Sequence, residues 1–166
     1  MTNCLKIEKL EINHDLKLFD CGNTALNDFL KKYALTNQKM RSSTTYLALE
    51  GDKVVGYYSI ASASVRYENA PKKVSRGLPQ YDIPVLLLAR LAVTVNKQGA
   101  GFGKGLLKNS MLRAVEVADI VGIRALLVHA KNKKAVNFYK AFDFKDSPFN
   151  ERHLYLTIKD IQKNLR

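Results

Sequence analysis

Between Val85 and Val95 every residue is apolar except Arg90 and Thr94, and Val and Leu predominate. Such a run fits a strand covered on both faces. Leu107, Met111, Ala114, Ala118 and Val121 then recur at steps of four, three, four and three, which is one face of a helix. Gly122 fits the C′ position of that helix. Elsewhere, Leu5 to Leu10 reads as a first strand. Gly22-Asn23-Thr24 starts a helix whose inner face is Leu26, Leu30, Tyr33, Ala34 and Asn37. Thr44 to Leu49 and Val54 to Val65 read as strands joined by a hairpin turn at Glu50-Gly51-Asp52-Lys53. Residues 66–82 read as a long irregular connection, and Pro84 suits the start of the central strand. The pattern then gives a strand at Ala125–Ala130, a helix from about Asn132, a turn near Asp143 and a strand at His153–Ile158. Ile158, Ile161 and Leu165 suit a short terminal helix.

At 166 residues, 46% of them hydrophobic, the chain is expected to be one domain, 1–166, with a core of its own. No apolar run approaches membrane-spanning length, and the N-terminus lacks a secretion signal. Cys4 and Cys21 form neither a C-x-x-C pair nor a metal pattern, and His14, His129 and His153 show no ligand spacing. These features predict a cytoplasmic protein without a metal. The net charge of +12 is spread along the chain, with pairs at Lys31-Lys32, Lys72-Lys73 and Lys133-Lys134. A folded basic surface attracts polyanions, RNA among them.

The central strand leads through Gly99, Gly101 and Gly103 into the helix. That arrangement aims unpaired N–H groups and the positive end of a helix dipole at one spot. Glycines there let a large anion approach the main chain, so the turn is expected to bind pyrophosphate. A Walker A loop is excluded by Gln98 and Gly105. A dinucleotide fingerprint is weak, because the spacing is G-x-G-x-G and the following strand leads to Lys131. The stretch Gln98-Gly99-Ala100-Gly101-Phe102-Gly103 fits Q/R-x-x-G-x-G/A and resembles the signature of the GNAT family of acetyl-CoA-dependent N-acetyltransferases. Further along, Asn132, Ala135, Phe138, Tyr139 and Phe144 resemble the family's N-x-x-A-x-x-F-Y-x-x-x-G-F segment. Asp143 stands there where glycine is usual, and Asp tolerates a left-handed conformation better than most residues.

The likeness extends over roughly residues 16–158 to one branch of that family, the toxins of bacterial toxin–antitoxin pairs that acetylate aminoacyl-tRNA. It is carried by Phe19-Asp20-Cys21-Gly22, Leu26-Asn27-Asp28-Phe29-Leu30, Gly56-Tyr57-Tyr58-Ser59 and Tyr81-Asp82-Ile83-Pro84-Val85. Leu88-Ala89-Arg90-Leu91-Ala92-Val93 and Ala125-Leu126-Leu127-Val128-His129-Ala130-Lys131 add to it. The resemblance implies an α/β (α+β) fold with a mixed, mostly antiparallel sheet, flanking helices and a splayed central strand pair. It also implies acetyl-CoA as co-substrate, a homodimer and a ribbon-helix-helix antitoxin. Gln98, Gly99, Gly101, Phe102, Gly103 and Lys104 would surround the pyrophosphate. Leu91 and Val93 would pair with the pantetheine arm, with the Val93 N–H facing the thioester oxygen. Asn132, Ala135 and Phe138 would line the arm's other side, and Tyr139 would hydrogen-bond the departing sulfur.

Only a neutral amine attacks a thioester. Deprotonation at pH 7 costs a lysine side chain roughly four kcal/mol and an α-amino group about one. With no dedicated base visible in the segment, an aminoacyl ester needs the least help. Arg90 is read either as a contact to tRNA or as the partner of a carboxylate. Lys31, Lys32, Arg41, Arg66, Lys72, Lys73 and Arg76 are further candidates for tRNA contact. Two other functions stay open on sequence alone: acetylation of a polyamine, small amine or protein N-terminus, and a noncatalytic RNA-binding module that keeps the fold.

Overall fold

The computed structural model of the chain describes residues 5–165, so Cys4 lies outside the described residues. Its strands are β1 (Lys6–Lys9), β2 (Thr44–Glu50), β3 (Lys53–Val65), β4 (Ile83–Val93), β5 (Ala125–His129), β6 (Lys145–Ser147) and β7 (Asn150–Thr157). The helices are α1 (Thr24–Asp28), α2 (Ala34–Lys39), α3 (Lys72–Ser75), α4 (Phe102–Ile120), α5 (Lys133–Lys140) and α6 (Ile158–Asn164). The strands form one sheet in the order β1-β2-β3-β4-β5-β7-β6. The β1–β2, β2–β3, β5–β7 and β6–β7 pairs are antiparallel, whereas β4 and β5 run parallel. The parallel ladder covers Leu86–Leu88 against Leu126–Val128, while β4 continues past it to Val93.

Two compact units are built on these strands. One comprises the chain up to Ala61 together with Ala89–Ser110; the other comprises Ser62–Leu88 together with the chain from Met111 onward. In the first unit, Leu10, Phe19, Phe29, Leu30, Leu47 and Tyr57 form the core. Gly51 takes φ +62° in the two-residue turn between Glu50 and Lys53, a conformation hairpins demand and glycine supplies without strain. On the opposite strand face, a Cβ at Gly56 would stand 2.8 Å from Leu106 Cδ1 and 3.0 Å from Ala92 O. The bare backbone at Gly56 is therefore what lets the first turns of α4 press onto β3. Tyr58 Oη fastens that contact by donating to Asn109 Oδ1 at 2.6 Å.

In the second unit the core gathers Val74, Ile83, Val85, Ala125, Leu127 and Tyr155. Arg124 closes α3 by donating to Val74 O at 2.8 Å and Arg76 O at 2.9 Å, satisfying carbonyls at the helix end.

The structure corrects several expectations. Tyr33 is not on a buried face; it is 56% exposed. Between α1 and α2 the chain makes a π-helical turn, Phe29–Tyr33, in which the Ala34 N–H bonds to Phe29 O. The extra residue in that turn keeps Phe29, Leu30 and Ala34 inward and rotates Tyr33 out. The central strand stops at Val93, because the Val95 N–H turns away to Asp20 O at 2.8 Å, and Val95 itself is exposed. Val121 is likewise exposed beyond the end of α4. Gly122 does not take a positive φ, since the chain leaves α4 for β5 without a left-handed turn. Residues 66–82 are less irregular than expected and hold a 3-10 turn, Tyr67–Asn69, besides α3. The short strand β6 has no counterpart in the sequence reading.

Candidate active site

The glycine turn lies in the first unit and is shaped by two left-handed residues, Gly99 at φ +78° and Gly101 at φ +91°. Nothing lies within 4 Å of where a Cβ would stand at either, so the surface above them is open. The Gly105 N–H bonds back to Gly101 O at 3.1 Å as the first helical link. The N–H groups of Phe102, Gly103 and Lys104 are thus left without intrahelical acceptors at the positive end of a 19-residue helix. Open left-handed glycines, free amides and an exposed Lys104 form a donor set that fits a pyrophosphate. Gln98 does different work from its neighbours. Its Nε2 donates to Cys21 O at 3.0 Å and Val93 O at 2.9 Å, tying the turn to the end of β4. Leu91 and Val93 are half-buried on β4, beyond the Leu86–Leu88 stretch that pairs with β5.

Arg90 pairs with no carboxylate among the described residues. Its guanidinium lies 3.6 Å above the Phe29 ring, within an aromatic group completed by Tyr57 and Phe19. The cation is therefore held over the ring face by a cation–π contact, and the carboxylate reading of Arg90 is corrected.

Tyr139 lies in the second unit on α5. Asn132 caps that helix, its Oδ1 accepting the Ala135 N–H at 2.9 Å. The other end closes through Asp143, at φ +71°. The Asp143 N–H bonds to Lys140 O at 3.1 Å and the Phe144 N–H to Tyr139 O at 3.4 Å. This is a Schellman closure, and the contact between its flanking hydrophobic positions is the edge-to-face pair Phe144–Tyr139, with centroids 5.4 Å apart. Phe138 adds a second edge contact at 5.1 Å. Tyr139 is 8% exposed, and burial pushes its phenol up to about 12. No group among the described residues hydrogen-bonds its hydroxyl. Ala135 and Phe138 are half-buried on the same helix.

Apart from half-buried Arg90, the candidate tRNA contacts are exposed, but two are already neutralised. Lys32 pairs with Asp28 at 3.4 Å, and Lys73 pairs with Asp160. Lys31, Arg41, Arg66, Lys72 and Arg76 form no ion pair among the described residues. Sequence reasoning missed one cluster. His129 and His153 face each other across β5 and β7 with their rings stacked, centroids 4.0 Å apart and planes 16° from parallel. Burial, helped by the neighbouring His153, holds His129 below the usual imidazole range. Their pairing depends on strand register, which no local spacing reveals. A cavity of about 550 Å³ in the first unit is lined by Asp15, Glu50 and Asp52 together with Lys53 and Lys97, the last paired with Glu50 at 3.0 Å. Among the described residues no cluster could hold a metal ion, and no helix is long and apolar enough to cross a membrane.

A mixed sheet that includes the parallel β4–β5 pair, a glycine turn opening a long helix and a buried tyrosine on a later helix fit an acyl-CoA-dependent transferase. A family model described as an acetyltransferase (GNAT) domain matches residues 41–146, and the chain belongs to that family. The chain is 42% identical over 146 residues to a tRNA-acetylating toxin of Mycobacterium tuberculosis, covering 88% of this chain and 87% of that one. Among solved structures it resembles AtaT complexed with acetyl-methionyl-tRNAfMet, with a TM-score of 0.91, 30% identity and coverage of 98% and 100% of the two chains. It also resembles a tyrosine-to-phenylalanine mutant of AtaT bound to the C-terminus of the antitoxin AtaR and to acetyl-CoA. There the TM-score is 0.82, at 30% identity and 97% coverage of each chain.

Proposed function

We propose that this chain is a toxin-type N-acetyltransferase that moves the acetyl group of acetyl-CoA to the α-amino group of aminoacyl-tRNA and so blocks translation. The observation that carries the reading is the 42% identity, over 88% of the chain, with a tRNA-acetylating toxin. The glycine turn with Gly99, Gly101, Phe102, Gly103 and Lys104 holds the pyrophosphate, and Gln98, whose amide donates to Cys21 O and Val93 O, braces that turn instead of touching the ligand. Leu91 and Val93 present main-chain groups to the arm, and the Val93 N–H stabilises charge on the thioester oxygen. Asn132 secures the start of α5, while Ala135 and Phe138 offer apolar surface to the arm.

Tyr139 acts as a hydrogen-bond donor to the departing sulfur. Moving its proton from a phenol near 12 to a thiolate of ordinary basicity, about 8.5, costs about 5 kcal/mol. The phenol therefore stays protonated, and the attacking amine loses its proton to solvent. An α-amino group manages that near neutral pH without a base, whereas a lysine side chain does not. The aminoacyl ester is for this reason the favoured acceptor. The partners that accompany this role are an antitoxin of the ribbon-helix-helix type and a second copy of the chain, and the site of action is the cytoplasm.

The test is transfer from labelled acetyl-CoA to a total pool of charged tRNA. Label is expected on the aminoacyl group, released together with the amino acid when the ester is cleaved. Label on polyamines or peptides in preference to charged tRNA would overturn the reading.

A further inference from the structure

The second unit holds a cavity of about 520 Å³ that the acetyl-transfer chemistry leaves unexplained. Its floor is the apolar sheet face around Leu87, Leu127 and Tyr155. Its rim carries the stacked His129–His153 pair, Arg66 and Phe149. Phe149 is 71% exposed at the tip of the β6–β7 hairpin, where its N–H is held by Ser147 Oγ at 3.3 Å. His129 is the last residue of β5, and three residues further on the chain enters α5, which carries Tyr139. The cavity thus reaches the strand end from which the Tyr139 helix starts, where ligands of α/β sheets gather.

We propose that this cavity receives the unpaired nucleobase at the 3′ end of the RNA acceptor, stacked on the aromatic rim formed by His129, His153 and Phe149. The proposal rests on the reading of the chain as an aminoacyl-tRNA acetyltransferase. Single-stranded RNA ends are recognised by stacking on aromatic side chains, with cations taking the adjoining phosphates. The rim supplies three aromatic rings and one guanidinium, Arg66, in that proportion. A pocket for a bare phosphate would present several cations, but Arg66 is the one Lys or Arg side chain among these lining residues. The volume suits a nucleoside and exceeds what an amino-acid side chain fills.

The test uses the full chain, a charged tRNA pool and labelled acetyl-CoA, with His153→Ala, His153→Phe and Phe149→Ala compared for KM of each substrate. His153→Ala and Phe149→Ala are each expected to raise the KM for charged tRNA about tenfold. His153→Phe, which keeps a flat ring, is expected to stay within about twofold of the parent. Acetyl-CoA affinity by calorimetry and Tm are expected to hold in all three. An unchanged KM in Phe149→Ala overturns the proposal, as does a His153→Phe variant as impaired as His153→Ala with Tm retained. In those cases the parent still acetylates charged tRNA, and only the base pocket falls. If the parent binds acetyl-CoA yet leaves charged tRNA unmodified, the function itself is refuted and the pocket assignment with it.

Discussion

At the scale of single residues, the proposed transfer turns on Tyr139, a phenol that is buried, has no hydrogen-bond partner among the described residues and is too weak an acid to give up its proton. Removing the hydroxyl in Tyr139→Phe deletes one donor to a developing anion. A loss of about 10²–10³ in kcat is expected, with the acetyl-CoA Kd nearly unchanged, read by steady-state kinetics and calorimetry. The pH profile separates this role from that of a base. The rising limb of kcat/KM belongs to the substrate amine and is expected at the same pH in parent and variant. A limb that disappears in Tyr139→Phe would make the tyrosine the titrating group. Because the phenol is raised from about 10 to about 12, the stability it contributes is full below pH 10 and falls as pH climbs toward 12. His129 works in the other direction. Its depressed folded value means the unfolded chain binds the proton more readily. Stability is then intact above the unfolded imidazole value of about 6.5 and declines as pH drops below it. His129→Gln is expected to flatten the fall in Tm between pH 7 and pH 5; an equally steep fall would remove His129 as its source.

At the scale of elements, two glycines that look alike in the sequence separate in the structure. Gly101 sits at φ +91° in the turn that opens α4, with empty space where a Cβ would go. Alanine there meets no clash but forces an L-residue into left-handed backbone, at about 1–2 kcal/mol. The amides it aims would shift, so Gly101→Ala is expected to weaken acetyl-CoA about tenfold in calorimetry. Gly122 has ordinary backbone and open surroundings, and Gly122→Ala is expected to change Tm by no more than a degree or two, either way. Asp143 is the converse case, a side chain in a glycine's place at the closure of α5. Asp143→Gly relieves the left-handed strain and gives up only an exposed 3.3 Å contact with Asn164, for a gain of about 0.5–1 kcal/mol seen as a higher Tm. Most elements were legible because their apolar periods are strong: the Asn23 and Asn132 caps, the Gly51 turn and the Asp143 turn all stand where local chemistry puts them. The misses are of another kind. The π turn that exposes Tyr33, the stacking of Arg90 on Phe29 and the His129–His153 pair arise from packing and register between segments far apart in the chain. No local pattern encodes those contacts, so the glycine turn and the Tyr139 helix could be read but not the cavity beside His129 and His153.

At the scale of the whole molecule, a net charge of +12 has to serve an enzyme whose two proposed substrates are both anions. In the proposed complex coenzyme A would carry its charge on a compact tail met by main-chain amides, whereas tRNA would spread charge over a surface that only side chains can match. The two substrates should therefore respond differently to salt. Six of the eight candidate tRNA contacts form no ion pair among the described residues, since Lys32 and Lys73 are engaged by Asp28 and Asp160. If each of the six met one phosphate, log KM for charged tRNA would rise with log salt at a slope of about 5, and fewer contacts lower the slope in proportion. A slope between about 2 and 5 is expected for charged tRNA, against less than about 1 for acetyl-CoA, measured from 50 to 200 mM salt. Reversing charge in Lys72→Glu and Arg76→Glu together is expected to lower the tRNA slope by about 2 and to leave the acetyl-CoA KM in place. Lys73→Glu is a different substitution, because it also breaks a partly buried pair with Asp160, and its cost is expected in Tm as well as in tRNA affinity. Equal slopes for the two substrates would mean that the basic surface keeps the chain soluble and takes no part in recognising RNA.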